Sequence, residues 1–419
     1  MHIVGRRNFI YNEDRADDTT DKNRERERID RKMMKKMMTT ITTFLKKETV
    51  LCVALVLAAV STVLVPPDKA YLGYIDFRTL AILFCLMSVM AGLQRIGVFK
   101  AIARKLLGYV KSGRGLVLTL VLLCFFSSML ITNDVALITF VPFTFTVLDL
   151  LGGAQKKRLL LPVVVMQTIA ANLGSMLTPI GNPQNLYLYG KAGLSAGAFL
   201  GLMLPYTALS LALLAVWGLI QGGASQDFQL ENAFEQDASD AGQAAGTAKY
   251  KIAMYLILFL VSLLAVGRIL PWQAVFVGVF LVVFAADRQV LAMVDYSLLL
   301  TFAGFFVFIG NVGRLPVFCG FMQDMIAGRE VYTSIAASQI ISNVPAALLL
   351  SGFTDDYAGL VVGTNLGGLG TLIASMASLI SYKYVAKEAG SRKGAYILLF
   401  TVANICFLAA LILLYVWLA

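Results

Sequence analysis

The chain has 419 residues, of which 58% are hydrophobic and only 14% are charged, and its formal net charge is +10. A soluble domain of this length needs a far more polar surface, so the composition excludes a soluble globular protein. The basic residues cluster in the N-terminal segment and in short loops, which is typical of a membrane protein and not of a nucleic-acid-binding protein. We therefore expect the lipid bilayer as a partner and no nucleic acid.

The N-terminal segment, residues 1–48, is polar and rich in both signs of charge, which predicts a disordered cytoplasmic extension. Methionines between Met33 and Met38 leave open whether translation begins at Met1 or at one of these later residues. The single histidine is His2, and the five cysteines stand singly in apolar sequence. We therefore expect no cofactor, no catalytic triad and no metal centre apart from Na⁺.

After residue 48, apolar runs reach about 20 residues, the length that an α-helix needs to cross a bilayer. They predict an all-α polytopic membrane protein with spans at 49–66, 74–93, 159–190 (broken), 196–220, 251–269, 271–287, 295–313, 355–381 (broken) and 394–418. We expect a first transmembrane repeat (49–220), a flexible cytoplasmic linker (221–249), and a connecting helix with a second repeat (250–419).

Two further apolar segments, 114–152 and 330–354, each carry a polar tip near the middle. The tips are Thr132-Asn133-Asp134 and Ser342-Asn343-Val344. Lysine and arginine flank both ends of the first segment, which places both ends on the cytoplasmic side. We therefore predict re-entrant helical hairpins whose tips stop inside the membrane, where protein or a water-filled cavity must surround them.

The tips belong to a longer internal duplication. The pattern from Asp76 to Phe99 recurs from Asp295 to Phe318, and each tip is followed by a glycine-rich polar break. Loop charges orient the first copy from outside to inside and the second from inside to outside, with the N-terminus cytoplasmic and the C-terminus outside. The predicted fold has two inverted repeats, each with a re-entrant hairpin and a broken transmembrane helix.

The tips can carry chemistry because a helix that ends inside the membrane exposes backbone N–H or C=O groups and its dipole. Amide and hydroxyl side chains beside such an end can replace the water around an ion or a solute. We therefore predict that Thr132, Asn133, Ser342 and Asn343 contact solute or ion. The alternative is that they only cap the broken helices.

Asp134 has no acidic counterpart in the second tip, where Val344 stands. A carboxylate at membrane depth is energetically expensive, and by default it indicates a site for an ion or a proton. We predict that Asp134 couples transport to H⁺ or Na⁺. The alternative is that its carboxylate caps the second arm of the hairpin by accepting backbone N–H bonds.

The two breaks supply the remaining candidates. Two prolines and a glycine between Thr178 and Asn185 free backbone carbonyls that are suitable ligands for Na⁺. The second break, Gly367 to Thr371, is the counterpart, and the alternative for its glycines is close helix packing. The candidate residues in and beside the breaks are Asn172, Thr178, Gly181, Asn182, Asn185, Asn365, Gly367 and Thr371.

These motifs resemble the ion transporter superfamily of arsenite permeases, NhaD-type Na⁺/H⁺ antiporters, citrate–metal carriers and divalent-anion/Na⁺ symporters. The chain looks closest to uncharacterised bacterial inner-membrane anion permeases. The resemblance implies re-entrant hairpins, unwound helices, a scaffold and a transport subdomain, and a homodimer with elevator-type motion. The dicarboxylate symporters end both tips with threonine, whereas these tips end with Asp134 and Val344, which places a dicarboxylate substrate in doubt.

We therefore predict a secondary active transporter of a small anion or oxyanion, citrate- or dicarboxylate-like or arsenite-like, in the bacterial inner membrane. Coupling to H⁺ or Na⁺ and alternating access complete this prediction, and the protein is not expected to be an enzyme. One alternative is a Na⁺/H⁺ antiporter on the same fold, which Asp134 favours. Others are an intramembrane enzyme, which the lack of a buried histidine disfavours, and the membrane half of a pump with a separate ATPase subunit.

Overall fold

The computed structural model describes residues 32–35, 38, 48–222, 245–388 and 392–418, without the side chains of 245–248. All regular elements in these ranges are helical, which confirms the all-α polytopic class. The predicted N-terminal extension and the predicted linker lie largely outside the described residues.

The helices before the linker are α1 (Thr49–Leu64), α2 (Tyr71–Tyr74), α3 (Phe77–Ile96), α4 (Val98–Leu107), α5 (Gly113–Ile131), α6 (Asn133–Leu150), α7 (Gly153–Ser175), α8 (Pro183–Ala192) and α9 (Ala196–Gly222). The predicted hairpin 114–152 is the pair α5 and α6, interrupted at Thr132. The predicted broken span 159–190 is α7 followed by α8.

The helices after the linker are α10 (Ala245–Val266), α11 (Trp272–Asp287), α12 (Tyr296–Val312), α13 (Pro316–Ile326), α14 (Glu330–Ile341), α15 (Asn343–Leu350), α16 (Tyr357–Leu366), α17 (Met376–Glu388) and α18 (Lys393–Leu418). A 3₁₀ turn, Arg288–Met293, joins α11 to the segment before α12. The second hairpin is α14 and α15, and the second broken span is α16 followed by α17.

Among the described helices, eight are long and apolar enough to cross a membrane, or nine if α12 and α13, which are bent by 108°, form one span. Both arms of the first hairpin pass this test, with 19 and 18 residues. The arms of the second hairpin have 12 and 8 residues and are too short to cross. Re-entry at the first hairpin therefore stays a prediction.

The order of elements in the first half recurs in the second. Each copy has a helix, a short turn, a second helix, a short helix, two hairpin arms, a broken helix and a final long helix. The second helix starts in the same way in both copies, because Asp76 accepts a hydrogen bond from the Thr79 N–H and Asp295 accepts one from the Leu298 N–H, each at 3.0 Å. The predicted duplication is visible in this order, whereas inversion of the copies across a membrane stays a prediction.

The two copies exchange packing partners. Helix α1 packs on α12 of the second copy, and α11, the second-copy equivalent of α1, packs on α3. Reciprocal contacts of this kind are what a two-fold relation produces. At the α1–α12 contact, the Asn311 amide donates to Ser61 Oγ at 3.0 Å and to the Tyr71 hydroxyl at 2.8 Å. Arg314, just past α12, donates to Asp68 Oδ2 at 2.8 Å, and this hydrogen bond lowers the pKa of Asp68.

Glycines allow the hairpin arms to lie directly against the broken helices. A Cβ on Gly174 of α7 would overlap the backbone carbonyl of Phe125 in α5. In the second copy, a Cβ on Gly363 of α16 would overlap the backbone of Val331 in α14. Small residues at these positions let the helix backbones approach closely, as they do in membrane bundles generally.

We predict that Gly174→Ala lowers the melting temperature of the purified protein, because the added Cβ has no space beside Phe125. Overpacking of this kind costs about 1–3 kcal/mol. Gly201→Ala in α9 is the matched control, since a Cβ there meets no atom within 4 Å. Thermal unfolding in detergent measures both, and equal melting temperatures for the two variants would contradict the predicted close contact.

Candidate functional site

The two hairpin tips share an unusual backbone conformation. Thr132 has φ 67° and ψ 153°, and Ser342 has φ 74° and ψ 154°. This region is almost exclusive to glycine and costs roughly 1–3 kcal/mol for any other residue. Backbone strain of this kind persists only where the surrounding structure holds it, and it concentrates at functional sites. Finding it at equivalent positions of both copies marks the tips as the candidate site.

Each tip is held against the break of its own copy by the same contact. Thr178 Oγ1 donates to the carbonyl of Met129, three residues before the first tip, at 2.5 Å. Thr371 Oγ1 donates to the carbonyl of Gln339, three residues before the second tip, at 3.2 Å. The predicted site residues Thr178 and Thr371 therefore lie at the tips, where they bridge the break and the hairpin.

Gly367 and Gly181 act through close packing. A Cβ on Gly367 would press on the side chain of Ser338 in α14. A Cβ on Gly181 would overlap the backbone of Ser175 at the end of α7. Neither position has space for a side chain, and at Gly367 this close approach agrees with the alternative expectation of helix packing.

An amide network connects the first tip to both breaks. The Asn133 amide donates to Asn172 Oδ1 at 3.0 Å, and Asn133 Oδ1 accepts from the backbone N–H of Asp134 at 2.9 Å. Asn172 Oδ1 also accepts from Ser375 Oγ in the second break at 3.0 Å. The Asn172 amide faces the carbonyl of Gly368 at 3.4 Å. Asn172 therefore links the first tip to the second copy.

The second copy makes the reciprocal link. The Asn182 amide donates to Asn365 Oδ1 at 3.3 Å, and the Asn365 amide donates to Asn185 Oδ1 at 2.7 Å. Asn172 and Asn365 are equivalent in the duplication, as are Asn182 and Ser375, so each asparagine bonds across to the other break. Asn185 also donates to the carbonyl of Thr178 at 3.2 Å. The amides thus take up carbonyls that the break leaves free.

The second tip is anchored mainly through its backbone. The N–H of Asn343 donates to the carbonyl of Ala374 at 3.0 Å, and Ser342 Oγ lies 3.4 Å from the same oxygen. Both side chains are buried, whereas Thr371 is exposed.

Gln339 is a further residue at this tip, and it lies outside the motifs from which the site was predicted. Its amide donates to the carbonyls of Gly367 and Leu369, each at 3.0 Å, and its Oε1 accepts from the N–H of Thr371 at 2.9 Å. A polar side chain inside the apolar arm, three residues before the tip, was the signal for it. Ser375 was also missed, and its equivalence to Asn182 was the signal.

Asp134 lies in the first turn of α6 and is half-buried. Among the described residues, none donates a hydrogen bond to its carboxylate or forms an ion pair with it. The capping bond that was the alternative expectation for Asp134 is therefore not observed. The carboxylate faces the open space in front of the tip, where a cation or a proton can reach it.

A cavity of about 420 Å³ opens beside the first tip, between α3, the hairpin and the first break. Its polar lining comes from Thr132, Asp134, Asn182, Gln94, Asp295 and Glu48. Among the described residues that line it, none is a lysine or an arginine. The carboxylates of Asp134 and Asp295 in this lining attract cations and repel anions. Three of the predicted site residues line this cavity, namely Thr132, Asp134 and Asn182. The other predicted site residues are not part of its lining.

A second cavity of about 640 Å³ adjoins the first and shares Gln94 and Ile138 with it. Lys100 and Arg104 of α4 line it on one side, and Thr139 of α6 lines it on the other. The two cavities therefore differ in charge, with carboxylates in the one that reaches the tip and basic side chains in its neighbour.

We predict that Thr132→Gly and Ser342→Gly each raise the free energy of unfolding by about 1 kcal/mol, because glycine adopts the tip conformation without strain. Thr146→Gly in the interior of α6 is the matched control and should lower it by about 1 kcal/mol. Thermal unfolding in detergent measures all three variants. A loss of stability at Thr132→Gly equal to that at Thr146→Gly would show that the tip is unstrained.

Comparison with known proteins places the chain in a family. The profile of the citrate transporter family matches residues 37–358, more than half of the chain, including both tips and the first break. The inner membrane protein YbiR of Escherichia coli is 32% identical over 320 residues, which cover 75% of this chain and 82% of the relative. An uncharacterized transporter of Methanocaldococcus jannaschii is 30% identical over 345 residues, covering 81% and 89%.

A plant protein is similar over a shorter range. The silicon efflux transporter LSI3 of Oryza sativa subsp. japonica is 30% identical over 182 residues, covering 42% of this chain and 36% of the relative. The apolar helices, the family profile and the relatives named as transporters agree with one another and do not favour an enzyme. The chain therefore belongs to the citrate transporter family and is a multi-pass membrane transporter.

Proposed function

We propose that the protein is a secondary active transporter that moves a small anion or oxyanion by alternating access, coupled to H⁺ or Na⁺. One observation carries this proposal. A cavity ends at the strained first tip, and the carboxylate of Asp134, which has no hydrogen-bond donor among the described residues, faces that cavity. The name of the relative YbiR supports an inner-membrane location. A cytoplasmic N-terminus, an outside C-terminus, inverted repeats and a homodimer belong to the same proposal.

Asp134 is the coupling residue in this proposal. A buried or half-buried carboxylate without a basic partner is stabilised when it binds a proton or a cation. The carboxylate of Asp295 lines the same cavity and raises the local concentration of cations in front of Asp134. Na⁺ bound there would lie beside Thr132 and Asn182, whose oxygens are suitable ligands.

The charge of the cavities bears on the solute. A free trianion such as citrate meets carboxylates in the cavity that reaches the tip, so its entry there is opposed unless a cation or protons accompany it. The family is described as citrate transporters and one relative as a silicon efflux transporter, so a common solute does not follow from the names. We propose an oxyanion that travels with its coupling ion.

The packing of the hairpins supports alternating access, because the two copies differ at this point. The second hairpin packs on α12, and a Cβ on Gly352, just after α15, would overlap the side chain of Ile309 in α12. Tyr187 of α8 closes the same side, with its hydroxyl 2.8 Å from Ser351 Oγ and its ring 5.5 Å from that of Phe306. At the first hairpin the cavity occupies the equivalent position against α3. A site open at one hairpin and closed at the other is expected of one end state of a carrier.

We predict that Asp134→Asn abolishes gradient-driven uptake in proteoliposomes while the protein stays folded, because the amide binds neither a proton nor Na⁺ as the carboxylate does. Asp149→Asn is the matched control, since Asp149 lies in the same helix but pairs with Lys156 at 2.5 Å at its far end. Uptake of citrate, phosphate, sulfate and arsenite under an imposed H⁺ or Na⁺ gradient is the measurement. Unchanged gradient-dependent uptake by Asp134→Asn would refute the coupling role.

A second candidate is a Na⁺/H⁺ antiporter on the same fold, and the carboxylates of the cavity favour it. The same proteoliposomes decide between the two. A pH-dye response to added Na⁺ with no transported anion present, lost in Asp134→Asn, would establish the antiporter. Uptake of an anion that requires the ion gradient would establish the anion carrier.

We predict that the cavity is open to the cytoplasm. Both test cysteines are introduced into a variant without the native cysteines. Met87→Cys, in the cavity wall, should react with an impermeant maleimide in inverted vesicles. Phe306→Cys should stay unlabelled by the same reagent in right-side-out vesicles. Tyr187→Ala removes the ring and the hydroxyl that close the other side and should raise labelling of Phe306→Cys from outside. Labelling of Met87→Cys only from outside would reverse the proposed orientation.

A further inference from the structure

Three helix ends meet at a group of charged residues far from the tips in sequence. Arg95 at the end of α3 pairs with Asp287 at 2.5 Å, and Lys251 near the start of α10 pairs with the other carboxylate oxygen at 3.1 Å. Asp287 ends α11, and its side chain is only 7% exposed. The contacts bring the ends of α3, α10 and α11 to one end of the bundle, which is the cytoplasmic end in the proposed orientation.

An open cavity of about 590 Å³ lies at this group. It is lined by Arg95, Lys251, Asp287 and Arg288, so three positive charges face one negative charge and two positive charges are in excess. Arg288 is exposed, and no described residue forms an ion pair with it. The excess charge makes the cavity attractive to an anionic group.

An apolar groove on α11 leads away from this cavity. Ala274, Gly278, Val282 and Ala286 follow one another at intervals of four residues and so lie on one face of the helix, and Ala286 lines the basic cavity. The first three line a separate apolar cavity of about 280 Å³ between α10 and α11. A Cβ on Gly278 would meet no atom within 4 Å, so the groove is open there.

We propose that this surface binds an anionic phospholipid, with the phosphate in the basic cavity and an acyl chain along the α11 groove. Basic pockets between transmembrane helices at the membrane surface recognise acidic headgroups by charge. A second copy of the chain is a poorer occupant, because a symmetric contact would bring the same uncompensated arginines towards each other. The bound lipid joins α3, α10 and α11, and its binding does not depend on the transported solute.

The test is a thermal-shift titration of the delipidated full-length protein in neutral detergent with phosphatidylglycerol, phosphatidylcholine or inorganic phosphate. Phosphatidylglycerol should raise the melting temperature in a saturable way, and the other two should not. Arg288→Gln should raise the half-saturating phosphatidylglycerol concentration about fivefold, the effect of one basic residue near an acidic surface. Arg329→Gln, which removes another exposed arginine, is the matched control and should leave it unchanged.

Gly278→Leu provides an independent variant, since it fills the open groove without altering the charges. It should weaken the phosphatidylglycerol response while the melting temperature without lipid stays the same. An equal shift with inorganic phosphate would show a free-anion site and overturn the lipid assignment. Identical titrations for Arg288→Gln, Arg329→Gln and the unsubstituted protein would overturn the site itself, as would a shift that tracks dimer formation instead of lipid.

Discussion

The structure depends on one constraint, which is that polar backbone groups freed inside a membrane must find partners within the protein, because lipid offers none. Both hairpins and both broken helices free such groups. The amides of Asn185 and Gln339 donate to the carbonyls of the two breaks, and Thr178 and Thr371 donate to the hairpin arms. The concentration of asparagine, threonine and glycine at the tips and breaks is explained by this need before any solute is considered.

The hydrogen-bond network of the tips and breaks engages the amide side chains but, among the described residues, not the carboxylate of Asp134. Asn172 and Asn365 are engaged in hydrogen bonds across the two copies, and their burial suits a structural role. Asp134 differs, because its carboxylate faces a cavity and has no donor among the described residues. The strained backbone at Thr132 and Ser342 is consistent with tips built for a purpose other than stability. The candidate site therefore combines hydrogen-bonded amides with one carboxylate, that of Asp134, which faces the cavity and to which no described residue donates a hydrogen bond.

The duplication explains both the symmetry of the core and the asymmetry at its edge. Contacts such as Asn172 with Ser375 and Asn182 with Asn365 are formed in both directions. In the second copy a Cβ on Gly352 would overlap Ile309 of the neighbouring long helix, whereas in the first copy a cavity lies between the hairpin and α3. The family profile shows a transporter, and alternation between these two arrangements is the mechanism that we propose for it.

Much of the fold was predictable from sequence because hydrophobic runs, prolines and polar interruptions act locally. The lengths of the apolar runs predicted the helices, and the polar interruptions at Thr132 and Ser342 predicted the hairpin tips. The duplicated motifs identified which residues of the two copies are equivalent. The resemblance to a transporter family rested on the same short motifs. The family profile matches residues 37–358 of the chain, which include both tips, whereas the second break was identified through its equivalence to the first.

Only the tertiary structure decided what the polar residues do. It showed that a side chain at Gly181 or Gly367 would overlap its neighbours, that Gln339 and Ser375 belong to the tips, and that Asp134 lacks a capping bond. It also brought Asp295, Arg95 and Lys251 to their partners and cavities from distant positions in the chain. The reason is physical, because local sequence sets where a helix ends, whereas hydrogen bonds, cavities and charge neighbours arise between segments that are remote in the chain.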